Sequence, residues 1–281
     1  MNIKRNWKKL AFFFPFFFLI IFFLLVPFLR MVGQSFRTSS GGFGLERYLE
    51  IFSKLAYITA IKNSLWISVS ATVIGIVIDF FLALALSKTS EKSKNWYLSV
   101  LNLTSTFSGL PLTLSFITIL GTAGVLVLIG QQLGIGWLAD YNLYSLKGMY
   151  VIYVYFQIPM GTLLLLPAFG EIRKEWREAA ILMNCNAARF WIRIGIPVMM
   201  PAIMGTTSML FANALTAYTT PYLLINNSIP LLPVKITDMF VGDVRQRPEL
   251  GSALSMVMLG FMLIVLAVTN LVKKKFEKGR K

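Results

Sequence analysis

Six stretches of this chain each run for roughly 20 residues, the length a helix needs to cross a bilayer core, with almost no charge in them. They fall near 10–29, 64–86, 104–129, 149–168, 200–223 and 250–272. Six such runs predict an all-α membrane protein with six transmembrane helices. Charge content agrees: 14% of the residues are charged, against about a quarter in a soluble domain.

The first run, "LAFFFPFFFLIIFFLLVPFL", follows Lys4, Arg5, Lys8 and Lys9, as the core of a signal peptide would. It exceeds the roughly 7–15 apolar residues of such a core, and "RMVGQSF" offers no small-residue cleavage site. A retained first span is expected. Lys and Arg then orient the chain. Four precede the first run, three lie at 87–103 (Lys88, Lys92, Lys94), five at 169–199 and six in the tail "KKKFEKGRK". That puts 18 of the 27 on one face. Six spans return both termini to that face, expected to be cytoplasmic, and the net charge of +15 then needs no nucleic acid to explain it.

One domain, 1–281, is expected, because no Gly/Ser linker, low-complexity tract or internal repeat divides the chain. Two outer segments are polar enough to leave the bilayer. In 33–63 the pair Gly41-Gly42 marks a turn and a short helix is expected ahead of the second span. In 224–250, Pro230 and Pro233 break the chain, and "VKITDMFVGDV" predicts an interfacial helix.

Several chemistries have no residues to build them. There is no histidine, which removes the commonest general base and metal ligand, and the single Cys185 closes no intrachain disulfide. A P-loop needs a Gly-rich turn followed by Lys and Ser or Thr; "GGFG" at 41–44 and "GTAG" at 121–124 lack the lysine. No catalytic residue, metal or cofactor is expected on this chain. A membrane-embedded enzyme has no supporting constellation.

The segment 171–197, between the fourth and fifth runs, is different. Ile172, Trp176, Ala179, Ala180 and Met183 recur at helical spacing, opposite Arg173, Lys174 and Arg177. Asn184 and Asn186 interrupt the pattern, Arg189 and Arg193 open a second helical piece, and Pro197 admits the next span. Helix, turn, helix at the membrane surface is expected. Periodicity alone leaves open whether this hairpin floats on lipid headgroups or docks on a partner. Residue order favours docking. Glu178-Ala179-Ala180, then Asn184, then Ile194-Gly195-Ile196-Pro197, resembles the "EAA" loop of permease subunits in ATP-binding-cassette importers, E-A-A-x3-G-x9-I-x-L-P. Asn184 replaces the glycine and Ile196 the leucine. Asn readily adopts positive φ, and Ile for Leu conserves volume.

The resemblance extends along the chain. "PFFFLIIFFLLVPFLRMVGQSF", "AIKNSLWISVSATVIGIVIDFFLALALS", "YFQIPMGTLLLLPAFGEIRKEWREAA", "FANALTAYTTPYLL" and "GDVRQRPELGSALSMVML" are similar to successive parts of these permeases, most of all the spermidine/putrescine group. The resemblance implies the type I (MetI-like) fold in a bacterial inner membrane. It implies that the loop, with Trp176, Glu178, Ala179, Ala180, Met183, Asn184, Ile194, Ile196 and Pro197, couples to an ATPase. The implied partners are two ATP-binding-cassette ATPase subunits holding ATP and Mg, an extracytoplasmic binding protein, and a second permease subunit, a sister chain favoured over an identical copy. The implied solute is small and polar, with a polyamine favoured and ferric iron, thiosulfate or aminoethylphosphonate as alternatives.

Polar residues inside the runs are candidates for a solute pathway. Asn213, Thr216 and Thr220 share a helical face, flanked by Tyr218 and Thr219; they serve either a path or helix–helix hydrogen bonds. Gln157, beside Pro159, has the same two readings. Asp79 is the one formal charge in a predicted span, and it either pairs locally, with Lys88 within reach, or meets solute. Gly109 and Pro111 are expected to bend the third span. A stand-alone secondary transporter is the rival function; it needs ion-coupling residues near the midplane, for which Asp79 is the sole candidate.

Overall fold

The computed structural model describes residues 13, 15–16, 18–225, 228–241 and 246–278. The basic residues Lys4, Arg5, Lys8 and Lys9, the start of the first expected span, the end of the 234–244 helix and the last three tail residues lie outside the described residues. The described chain is helical, with one isolated β-bridge between Arg37 and Phe43 around a turn in which Gly41 takes φ +86°. Among the described residues, six helices are long and apolar enough to cross a membrane: Phe18–Ser35, Leu55–Ser87, Leu110–Leu133, Leu146–Phe169, Ala187–Leu224 and Pro248–Phe276. The first extends beyond the expected residue 29, and the second begins well before residue 64.

In chain order the helices are α1 (Val26–Ser35), α2 (Glu46–Ser53), α3 (Leu55–Ser87), α4 (Glu91–Thr106), α5 (Leu110–Leu120), α6 (Val125–Leu133), α7 (Gly136–Ala139), α8 (Leu146–Phe169), α9 (Lys174–Leu182), α10 (Ala187–Phe190), α11 (Ile196–Thr216), α12 (Thr219–Leu224), α13 (Leu232–Val241) and α14 (Pro248–Lys278). The expected third span at 104–129 is not continuous. Residues 104–106 end α4, a helix in the 87–103 connection between expected spans, where no helix is expected, and the chain breaks again between Leu120 and Val125.

Contacts divide the chain into two compact units, Met1–Ile58 with Lys235–Leu259, and Thr59–Val234 with Gly260–Lys281. In the first, α2 turns Arg47 and Glu50 inward and leaves Glu46 exposed. Arg247 reaches Glu50 with both guanidinium nitrogens, Nη1 to Oε1 at 2.7 Å and Nη2 to Oε2 at 2.6 Å, while Lys54 adds a bond of 2.6 Å. The Arg247 pair, outweighing the cost of partial burial, holds the Glu50 carboxyl down to about 2. Leu45, Leu49 and Phe52 point outward instead.

In the second unit, α8 is the central post. One cluster packs Ile67, Leu112, Met149, Tyr153 and Ala214; another packs Ala83, Leu86, Leu165, Phe169 and Met199. Between membrane helices such contacts hold by close packing more than by hydrophobic burial. Polar ties pin the outer chain: the Ser64 hydroxyl accepts from the Leu232 N–H at 2.8 Å, and the Asn63 amide donates to the Pro230 carbonyl at 3.1 Å.

Prolines leave a signature in the backbone. Ile21–Leu25 and Trp191–Gly195 are π-helical turns, in which Val26 and Ile196 donate to the carbonyls of Ile21 and Trp191 five residues back. A proline stands two positions past the end of each turn, Pro27 and Pro197. A proline ring clashes with the carbonyl four residues back and has no N–H for it, so widening the turn relieves both conflicts.

Candidate functional site

Helix α8 is flanked along its length by α4 and then α5. Lys94 and Leu98 lie with Leu163 and Leu166, Thr104 and Ser105 with Phe156 and Met160, and the Phe116 ring is 5.2 Å from that of Tyr155. The junction between α4 and α5, Phe107–Gly109, therefore falls at the middle of α8. Gly109 takes φ +68° there, a conformation that a side chain disfavours. The expected bend is a complete break.

A second break faces it. Helix α11 stops at Thr216, Ala217 is extended, and α12 starts at Thr219. A Cβ placed on Gly109 would be 3.9 Å from the Thr219 hydroxyl, so the two interruptions adjoin. Pro111 and Pro221 fall in the first turns of α5 and α12, where a missing N–H removes one donor that the helix cannot satisfy. Between the breaks is a cavity of about 420 Å³, whose walls include Thr104, Ser105, Ser108, Asn213, Thr216 and Tyr218. Irregular backbone at membrane depth is tolerated where protein buries it or where it lines an aqueous cavity.

The candidate pathway residues separate. Asn213, Thr216 and Thr220 line the cavity. Thr216 is exposed and its hydroxyl bonds back to the Ala212 carbonyl at 2.8 Å, whereas Thr220 is buried and shares a 3.0 Å hydrogen bond with Thr113. Asp79 and Gln157 are not among the lining residues. Both are fully buried, and Asp79 accepts from the Thr162 hydroxyl at 3.1 Å. No ion pair joins Asp79 to Lys88 among the described residues. The second Asp79 oxygen and both Gln157 amide atoms have no hydrogen-bond partner in the described structure. Gly161 makes room for the acid: a Cβ there would be 1.8 Å from Asp79 Oδ2. The sequence reading missed Thr104, Ser105 and Ser108. Their signal is the polar run "NLTSTFSG" directly ahead of Pro111, which breaks an otherwise apolar stretch.

The 171–197 segment folds as helix, turn, helix. Helix α9 ends in a Schellman motif, with the Cys185 N–H bonded to the Ala180 carbonyl and the Asn184 N–H to that of Ile181, both at 2.9 Å. Asn184 occupies the left-handed position at φ 55°. Asn186 caps the next helix, its side chain accepting from the Arg189 N–H at 2.8 Å.

The expected apolar face is divided. Ile172 precedes the N-cap Arg173, and Met183 is the C-cap, so neither follows the helical register. Trp176 is half-buried and Ala180 buried, while Ala179 and Glu178 are exposed. What α9 and its exit leave uncovered is Ile181, Leu182 and Met183, at 65%, 87% and 82% exposure, with Ile192 beyond them at 68%. Gly195 lies against the Trp191 ring, where a Cβ would come within 2.3 Å, and that ring packs on Phe80 and Phe169. Ile194, Ile196 and Pro197 are half-buried on the way into α11.

Membrane-length helices, two of them broken around a polar cavity, with an amphipathic hairpin leading into α11, define a multi-span membrane protein with an internal polar cavity. The chain belongs to the family described as binding-protein-dependent transport system inner membrane component, whose pattern matches residues 72–279. It is 27% identical over 149 residues to the thiamine transport system permease protein ThiP of Haemophilus influenzae, covering 53% of this chain and 27% of that one. It is also 27% identical over 191 residues to PhnU of Salmonella typhi, assigned to 2-aminoethylphosphonate transport, covering 65% and 64%. The chain thus spans less than two-thirds of the length of these relatives. Its fold matches a bacterial importer of the acidic polysaccharide alginate, with a TM-score of 0.79 over 97% of both chains at 19% identity.

Proposed function

We propose that this chain forms part of the translocation path of a bacterial ATP-binding-cassette importer, with both termini cytoplasmic and separate subunits hydrolysing ATP. The carrying observation is the pair of facing helix breaks, Phe107–Gly109 and Ala217–Tyr218, around a cavity walled by hydroxyls and the Asn213 amide. Broken membrane helices are a recurrent way to build a solute site at mid-depth. A binding protein delivers solute, and a second permease subunit, a sister chain in preference to a copy, closes the path.

The hairpin is the coupling element of this proposal. Ile181, Leu182 and Met183 supply apolar contact to the ATPase, and Glu178 a charge that a basic residue there can meet. Trp176, Ala180, Ile194, Ile196 and Pro197 hold the hairpin to its own chain; Asn184 shapes its turn and Ala179 lets the surfaces approach.

For the solute, we propose a small polar organic molecule held by hydrogen bonds and aromatic contact. The polyamine favoured by the sequence resemblance has weaker support: the relatives named above serve thiamine and aminoethylphosphonate, and no carboxylate is among the lining residues of this cavity.

Replacing Thr216 with leucine fills the cavity wall with a bulky apolar group. Uptake should fall severalfold while thermal stability and ATPase association stay unchanged. A destabilised complex that still transports normally would assign this face to packing alone. Transport that persists without any ATPase subunit would favour a secondary transporter instead.

A further inference from the structure

At one end of α3 and α8 is a second cavity, of about 670 Å³, that the transport mechanism does not use. Lys88 at the end of α3, and Arg173, Lys174 and Arg177 at the start of α9, all face it. A single carboxylate, Glu175, shares the lining, and among the described residues no ion pair joins it to any of the four cations. All four are exposed, with Arg173 also over the Trp176 ring at 5.7 Å, so solvent screens their mutual repulsion, but together they make one cavity rim that favours an anion.

The apolar surroundings narrow the choice of anion. Phe169, Phe190 and Trp191 wall the same cavity. It adjoins a groove of about 460 Å³ between α4 and α8, the two sharing Ser87, Phe169 and Gly170. Leu98, Leu163, Leu166 and Pro167 line that groove, with Lys94 at its side. Basic charge at the ends of two spans, opening onto an apolar furrow that runs along them, matches a headgroup phosphate with an attached acyl chain. Basic pockets between membrane helices on the cytoplasmic side take anionic headgroups in this way.

We propose that this cavity and groove form a binding site for one anionic phospholipid, its phosphate held by Lys88, Arg173, Lys174 and Arg177 and an acyl chain laid along Leu98, Leu163 and Leu166. The proposal rests on α3 and α8 crossing the membrane; it shares the hairpin with the proposed coupling role but uses neither Glu178 nor Ile181–Met183.

The test uses the full chain in its assembled complex, purified in neutral detergent. Native mass spectrometry and thermal unfolding are followed with added phosphatidylglycerol, phosphatidylcholine, soluble glycerol phosphate or inorganic phosphate. Phosphatidylglycerol should be retained at one copy per chain and raise the unfolding temperature, where phosphatidylcholine does neither. Removing two of the four cations in a Lys88→Gln, Arg177→Gln double variant should weaken its retention about thirtyfold, while Arg189→Gln leaves it unchanged. Equal retention of the two lipids by the wild-type complex overturns the proposal even if the double variant fails to fold. Protection by inorganic or glycerol phosphate as strong as by the lipid would make it a free-anion site and also overturn it. So would lipid retention by the permease alone that vanishes once the ATPase is bound, which would make the cavity a protein-docking surface.

Discussion

Two residue pairs carry consequences out of proportion to their size. Asp79 and Gly161 occupy one volume, and alanine at 161 drives a methyl group into the carboxylate. Gly161→Ala should destabilise the protein by about 1–3 kcal/mol, the usual cost of overpacking. Asp79→Ala in the same chain should restore much of it, and thermal unfolding of the two single variants and the double decides whether the costs are additive. The pair Glu50–Arg247 is partly buried and lies outside the membrane-length helices. Glu50→Gln removes a charge-assisted bidentate bond and should cost about 1.5–3 kcal/mol. With the folded carboxyl held to about 2 against an ordinary 4.5, this stabilisation is fully present above pH 4.5 and is lost as pH falls towards 2. The wild-type advantage in unfolding temperature should thus be constant from pH 7 to 5 and shrink only below. At this scale the sequence could name Asp79 as exceptional but not its partner. Thr162 is 83 positions away in sequence, and no local pattern links the two.

Among the elements, the hairpin was the most legible, because its turn chemistry is local. Asn184 stands where a left-handed residue is required, and the Schellman bonds form around it. Asn184→Ala should destabilise the hairpin by about 1–2 kcal/mol through strain at positive φ, whereas Asn184→Gly should be neutral or slightly stabilising. Hydrogen exchange of the Asn184 and Cys185 amides reads this directly. Equal protection in all three proteins would mean that the turn does not depend on that conformation. Helix α4 was the element misread. Its Lys92, Lys94 and Asn95 look like loop residues, and helical periodicity is weak there because no residue of α4 is buried. The apolar face of α9 was read too long for a related reason: periodicity extends through caps that the backbone does not continue. The prolines were visible as breakers, but the widened turns ahead of Pro27 and Pro197 were not, since one extra residue per turn leaves no trace in composition.

For the molecule as a whole, spans were readable because membrane length is a composition signal. The cavity was readable only in part, because Asn213 and Thr216 share a helix while Thr104 and Ser105 come from a separate one. Orientation is tested by cysteine labelling in a Cys185→Ser background. A cysteine at Ser39 should react with an impermeant reagent outside intact cells, and one at Ser90 should not; equal labelling would contradict the six-span topology. Coupling is tested by Glu178→Lys, which should abolish uptake and release the ATPase subunit while the permease stays in the membrane. Normal transport with the ATPase still bound would remove the hairpin from that role. The facing breaks have one more consequence, for solvent. Leu110 and Leu112, like Thr219 and Thr220, fall in the first turns of their helices, whose amides have no acceptor within the helix, yet these turns begin at the cavity that Phe156 and Met160 of α8 also line. Deuterium should therefore reach a small island of amides halfway through the membrane ahead of the protected turns on either side. The centre of this bundle should exchange like a surface.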